Sequence, residues 1–144
     1  MSVREAFDML PDHSEISYEM TFDAGHRIVG HKGKCARLHG HTYRVHIMAA
    51  GVVKPPGFVV DFGDLKELVN EWDHRMLIWN ADPLVVPNTK EFWVDEGVVI
   101  LPFNPTAENM ARYLAYTCME MFELHSVMVE LWETPKCMAR YVIS

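Results

Sequence analysis

Two stretches of the chain alternate apolar and polar residues with a period of two. Ile16 to Phe22 reads ISYEMTF, and His41 to Gly51 reads HTYRVHIMAAG. In the second, Tyr43, Val45, Ile47 and Ala49 share one face while Thr42, Arg44, His46 and Met48 share the other. Both stretches are therefore predicted to be strands. The Pro55-Pro56-Gly57 cluster breaks the second, and Phe58 to Val60 is a short extended piece. The period then changes. Phe62, Leu65, Leu68, Val69, Trp72 and Met76 line one helical face behind Asp61 as N-cap, with Asp64 in the first turn. A second helix opens at Asn104-Pro105-Thr106-Ala107-Glu108, capped by Thr106 or Asn104, with Glu108 near the positive end of its dipole. Its apolar stripe is Met110, Tyr113, Leu114, Cys118, Met121 and Phe122. Two closing strands, Val127 to Trp132 and Met138 to Ile143, flank a turn at Thr134-Pro135-Lys136. Between the helices, Asp82 to Pro102 is interrupted by Pro83 and Pro87, and Val98 to Leu101 fits a short strand.

The order ββααββ is that of an α+β domain, a four-stranded antiparallel sheet with two helices on one face. Its other face and both edges then need cover, which self-association into a β-barrel would supply. At 144 residues and 49% apolar composition, residues 1–144 read as one domain, with an N-terminal extension over 1–15. A chain of this length buries about two thirds of its unfolded-state surface.

Charge alters this picture through its distribution. The formal net charge of −7 argues against nucleic acid as a partner. Yet no acidic residue lies between Asp23 and Asp61, a window that holds Arg27, Lys32, Lys34, Arg37, Arg44, Lys54 and five of the eight histidines. A basic patch on an acidic protein suits a small polyanionic substrate such as a phosphate ester. The N-terminal MSVREAFDMLPDHSE carries no apolar targeting core, and no run is long enough to span a membrane. Cys35, Cys118 and Cys137 form no disulfide framework, so a reduced, cytoplasmic location is expected.

The candidate chemistry centres on CARLHGHTY, from Cys35 to Tyr43. His39 and His41 stand two apart at the start of a strand and so point to one face. Two imidazoles on one face are half of a zinc site, and a catalytic zinc takes three protein ligands. His26, at the end of the earlier strand in TFDAGHR, is the third candidate. His46 has the wrong parity relative to His41 and is expected to be exposed or hydrogen-bonded instead.

The segments FDAGHR, GHKGKCARLHGHTY, GFVVDFGDLK, WDHRML, NPTAEN and VELWET, in this order, resemble the 6-pyruvoyltetrahydropterin synthase family over about Tyr18 to Tyr141. Within it they are most similar to the branch that forms 6-carboxytetrahydropterin. The resemblance implies the tunnelling (T-) fold, with subunits associating into barrels, often hexamers built from two trimers, and active sites between subunits. It also implies a substrate, 7,8-dihydroneopterin triphosphate, processed on Zn2+ to 6-carboxytetrahydropterin, acetaldehyde and triphosphate. A 6-pyruvoyl-forming synthase is the alternative, and a catalytically silent zinc- or pterin-binding module stands further off.

Residue by residue, the resemblance implies that His26, His39 and His41 hold the zinc and that Cys35 is the catalytic thiol. Asp73 and His74 match a proton-relay pair at the end of the first helix. Glu133 matches a pterin anchor, because one carboxylate accepts from the two adjacent N–H donors of a pterin ring. Thr106 and Glu108 match a segment near the pterin, although helix cap and dipole partner are their simpler roles. Arg27, Lys34 and Arg37 are the expected triphosphate contacts. The pattern departs from the family's shorter form where Trp72 stands for the common Leu and Ile78-Trp79 precede Asn80.

Overall fold

The computed structural model describes residues 1–83 and 96–144. Pro87, read above as a chain break, lies outside the described residues. After a short helix α1 (Val3–Asp8), the long strands β1 (His13–His26) and β2 (His39–Val52) pair antiparallel along their whole length, from His13 opposite Val52 to His26 opposite His39. The alternating pattern explains this register. Phe22, Ala24, Tyr43, Val45, Ile47 and Ala49 all fall on one face and are buried there.

β5 (Ser126–Thr134) pairs with β2, and β6 (Cys137–Ile143) with β5, both antiparallel, which completes the expected four-stranded sheet. Helices α2 (Phe62–Asn70) and α3 (Ala107–Phe122) supply Leu65, Val69, Met110, Ala111, Leu114, Ala115 and Cys118 to the same core cluster. Both helices therefore cover one face of the sheet. Asp61 caps α2 by accepting from Gly63 N–H, and Thr106 caps α3 by accepting from Asn109 N–H.

The sheet also extends beyond that meander. β3 (Arg75–Trp79) runs parallel to β1, and β4 (Val98–Leu101) parallel to β3, giving the six-stranded order β4-β3-β1-β2-β5-β6. α2 stops at Asn70, so Met76 belongs to β3 and not to the helical stripe. The turn between them is fixed by Trp72 N–H donating to Val69 O and by His74, whose φ of 58° is left-handed. On α3, Tyr113 and Met121 stay exposed, and alanines 107, 111 and 115 take the face against the sheet.

The helix-free face carries charge. Glu130 is buried beneath Arg140 and His46, His46 also meets the Ser17 hydroxyl, and Arg44 stacks on Trp132 at 3.8 Å. Arg140, foremost, holds the Glu130 carboxyl below its ordinary pKa. His46 thus sits on the face opposite the other two histidines of β2, as its parity required. No helix among the described residues is long and apolar enough to cross a membrane.

Candidate metal centre and active site

β1 ends with His26 on the core face, and β2 begins with His39 and His41 on that same face. Pairing of His26 with His39 and of Ala24 with His41 puts the three rings side by side. One nitrogen from each lies within 4.8 Å of the other two. The ring centroids are 4.6 Å apart for His26 and His39, 5.1 Å for His26 and His41, and 4.9 Å for His39 and His41.

The outer nitrogens fix the tautomers. His26 Nδ1 lies 2.7 Å from the carbonyl oxygen of Pro105, and His39 Nδ1 lies 2.7 Å from that of Arg37. A carbonyl only accepts, so each Nδ1 carries the proton and each Nε2 presents a lone pair. Those two Nε2 atoms face one another at 3.1 Å. With Nδ1 of each ring turned to a carbonyl, the two Nε2 atoms converge on one point and form a cradle for a cation. The donor set, three imidazole nitrogens with His26 and His39 anchored through their far sides, fits a divalent transition metal such as zinc.

Burial reinforces the neutral state. It pushes the His26 pKa down to about 4, with the neighbouring His39 and His41 rings adding to the effect against the Pro105 carbonyl. Burial also lowers His41, opposed by the Glu133 carboxylate and aided by His39. Beneath them Tyr43 is fully buried, its hydroxyl 3.1 Å from His26 Nδ1. Burial raises that phenol's pKa, so it stays protonated.

Glu133, near the end of β5, brings a carboxylate oxygen to 4.0 Å from His26 Nε2. The anchor expected from the sequence therefore stands at the rim of the histidine cluster. Cys35 lies on a single 3₁₀ turn (Lys34–Ala36) whose carbonyl ties back to Ile28 N–H at 2.8 Å. Its thiol is half-buried and outside the three-histidine group.

Asp73 and His74 form a pair at the foot of β3. His74 Nδ1 lies 3.0 Å from Asp73 Oδ2, and Asp23 N–H donates to Asp73 Oδ1 at 2.9 Å. That main-chain N–H, before His74, holds the Asp73 carboxyl below its ordinary pKa and keeps it ionised. The His74 ring is exposed and opens into a groove of about 470 Å³ shared with Asp23, His41, Thr42, Arg75 and Glu96.

Thr106 is occupied as the α3 cap, and Glu108 is exposed in the first turn. Lys34 and Arg37 are exposed, whereas Arg27 Nε bonds the buried Asp82 at 2.7 Å. Asn104, read from the sequence as an alternative cap, instead accepts from Val29 N–H at 3.1 Å and donates to Val29 O at 2.8 Å. This clamp ties the segment after His26 to the loop that carries Pro105. Its only signal was the polar Asn before the proline.

Fold and site together define a tunnelling-fold protein with a three-imidazole cation cradle at the end of its sheet. The family model described as 6-pyruvoyl tetrahydropterin synthase matches residues 15–143, and the chain belongs to that family of pterin synthases. The chain is 40% identical over 126 residues to the 6-carboxy-5,6,7,8-tetrahydropterin synthase of Rickettsia bellii, covering 81% of this chain and 91% of that one. It is 33% identical to the enzyme of the same name from Haemophilus influenzae, over 88% and 97% of the two chains. The 6-pyruvoyl tetrahydropterin synthase of Plasmodium falciparum superposes with a TM-score of 0.66 at 24% identity, over 92% of this chain and 98% of that one, a likeness of fold.

Proposed function

We propose that this protein is a zinc-dependent 6-carboxytetrahydropterin synthase (QueD). It converts 7,8-dihydroneopterin triphosphate to 6-carboxy-5,6,7,8-tetrahydropterin, acetaldehyde and triphosphate, within 7-deazapurine (queuosine) biosynthesis in the cytoplasm. The observation that carries the reading is the pair of Nε2 atoms converging at 3.1 Å, beside a carboxylate suited to a pterin edge. The names of the relatives favour the 6-carboxy product over the 6-pyruvoyl one.

His26, His39 and His41 would hold the zinc, which when bound supplies a Lewis acid for the side-chain oxygens of the substrate. Glu133 accepts from the ring N–H and exocyclic amine of the pterin and so orients it, with Thr106 and Glu108 on the segment nearby. Cys35 removes and returns protons on the substrate side chain. Asp73 receives the Nδ1–H of His74, which leaves Nε2 free to take and give a proton. Lys34 and Arg37, exposed on the basic loop, meet the triphosphate. Cys35 and the Asp73–His74 pair stand on separate parts of the chain, and association into a homohexamer of two trimers would bring a thiol and a relay to one substrate.

The test is incubation of zinc-loaded protein with 7,8-dihydroneopterin triphosphate and mass analysis of the products. Release of triphosphate with a 6-pyruvoyl product would move the protein to the sister activity. Absence of turnover with zinc and pterin still bound would leave only a binding module.

A further inference from the structure

Asp23 makes three separate links. Its main-chain N–H donates to Asp73 Oδ1 at 2.9 Å, and its carbonyl accepts from the His74 N–H at 2.6 Å. Its carboxylate Oδ1 accepts from the Thr42 hydroxyl at 2.5 Å. Thr42 stands directly opposite Asp23 in the β1–β2 register, on the helix-free face. The second link matters because His74 holds a left-handed φ of 58°, a conformation disfavoured for any non-glycine residue. The bond to the Asp23 carbonyl helps to keep the ring where it is.

The first and third links set up a competition. One oxygen of Asp23, one of Asp73 and one ring nitrogen of His74 all lie within 4.8 Å of one another. Two carboxylates thus flank one imidazole. Asp73 holds the ring through Nδ1 at 3.0 Å, and Asp23 Oδ1 accepts from the Thr42 hydroxyl. An Asp23 carboxylate released from Thr42 could rotate toward the imidazole. Among the described residues, His41, Arg75 and Glu96 also line the groove.

We propose that Thr42 and Asp23 are positioning residues for the Asp73–His74 pair. The Thr42 hydroxyl restrains the Asp23 carboxylate, so that Asp73 alone receives the His74 Nδ1–H and Nε2 stays turned to the groove. β1 then fixes two parts of the site at once, with Asp23 setting the relay and His26, three residues on, entering the histidine cluster. The kinetic consequence rests on the pterin-synthase reading. The structural one does not.

The experiment compares Thr42→Val, which keeps the shape and loses the donor, with Thr42→Ser, which keeps the donor. Ring-nitrogen NMR of ¹⁵N-histidine-labelled, zinc-loaded protein reports the His74 tautomer, and steady-state kinetics with 7,8-dihydroneopterin triphosphate report kcat and KM. In Thr42→Val the His74 signals should leave the pure Nδ1–H pattern. Its kcat should fall about tenfold, a fraction of what a positioned acid–base group supplies, with KM and zinc content within about twofold of the parent. Thr42→Ser should restore both. The double variant Asp23→Asn with Thr42→Val, which weakens the competing acceptor, should recover most of the lost kcat. An unchanged His74 spectrum in Thr42→Val, or a double variant no better than the single one, overturns the proposal. Should Thr42→Val fail to fold, Asp23→Asn alone decides: it must keep the Nδ1–H tautomer, and its loss overturns the proposal. If the parent protein does not turn over the substrate, the functional reading fails while the NMR comparison still decides this one.

Discussion

Acid should destabilise the metal-free protein through the buried His26 ring. In the folded chain burial holds this ring near a pKa of about 4, whereas an exposed histidine has 6.5. The folded value lies below the unfolded one, so the neutral ring is the native form and the unfolded chain takes up the proton first. The corresponding stability is complete above pH 6.5 and is lost as the pH falls toward 4. At about 1.4 kcal/mol per pH unit, the gap between 6.5 and about 4 amounts to about 3 kcal/mol, most of which is gone by pH 4.5. Urea titrations of metal-stripped protein at pH 7.5 and 4.5 measure it, alongside His26→Gln, which has no ring to titrate. Carboxylates held below their ordinary pKa, Asp73 and Glu130, also lose their contribution as the pH falls, but in both proteins. The wild type should therefore lose roughly 2 to 3 kcal/mol more than the variant. Equal losses would refute the claim that His26 is held neutral by the fold.

Three further perturbations separate the roles assigned above. Cys35→Ala should leave zinc content intact, measured by atomic absorption, and abolish turnover; surviving activity would remove Cys35 from the chemistry. Glu133→Gln should raise KM at least about tenfold, the loss of a charge-assisted hydrogen bond worth about 1.5–3 kcal/mol, with bound zinc unchanged. Asn104→Ala removes both bonds to Val29 and should cost roughly 2 kcal/mol in urea unfolding. A loss below about 0.5 kcal/mol would mean the clamp is replaced by solvent.

Much of this was legible in the chain. Parity alone put His39 and His41 on one face and His46 on the other, because side chains alternate along β2 from His39 to Ala49. The Asp61 and Thr106 caps were visible for the same local reason. β3 was hidden because RMLIW has no alternation, being buried in a parallel run where strand and helix look alike. Met76 happens to continue the α2 spacing, and nothing before it announces the left-handed His74 that turns the chain. The alanines of α3 outcompete Tyr113 and Met121 for the sheet face, since close packing against β5 and β6 favours small side chains. Within the site, the residue types were readable and the far-side anchors were not. Pro105 and Arg37 act through carbonyl oxygens, which every residue has. Arg27 was expected at a phosphate, but its Nε meets Asp82, 55 residues away, a pairing no local pattern encodes.

The measurement that bears most directly on the central claim is product analysis. Zinc-loaded protein is given 7,8-dihydroneopterin triphosphate under anaerobic conditions, and the mixture is resolved by mass. Acetaldehyde and 6-carboxytetrahydropterin in equal amounts, with zinc removal abolishing both, is the predicted result. A 6-pyruvoyl product without acetaldehyde, or turnover that persists after zinc is stripped, would contradict it.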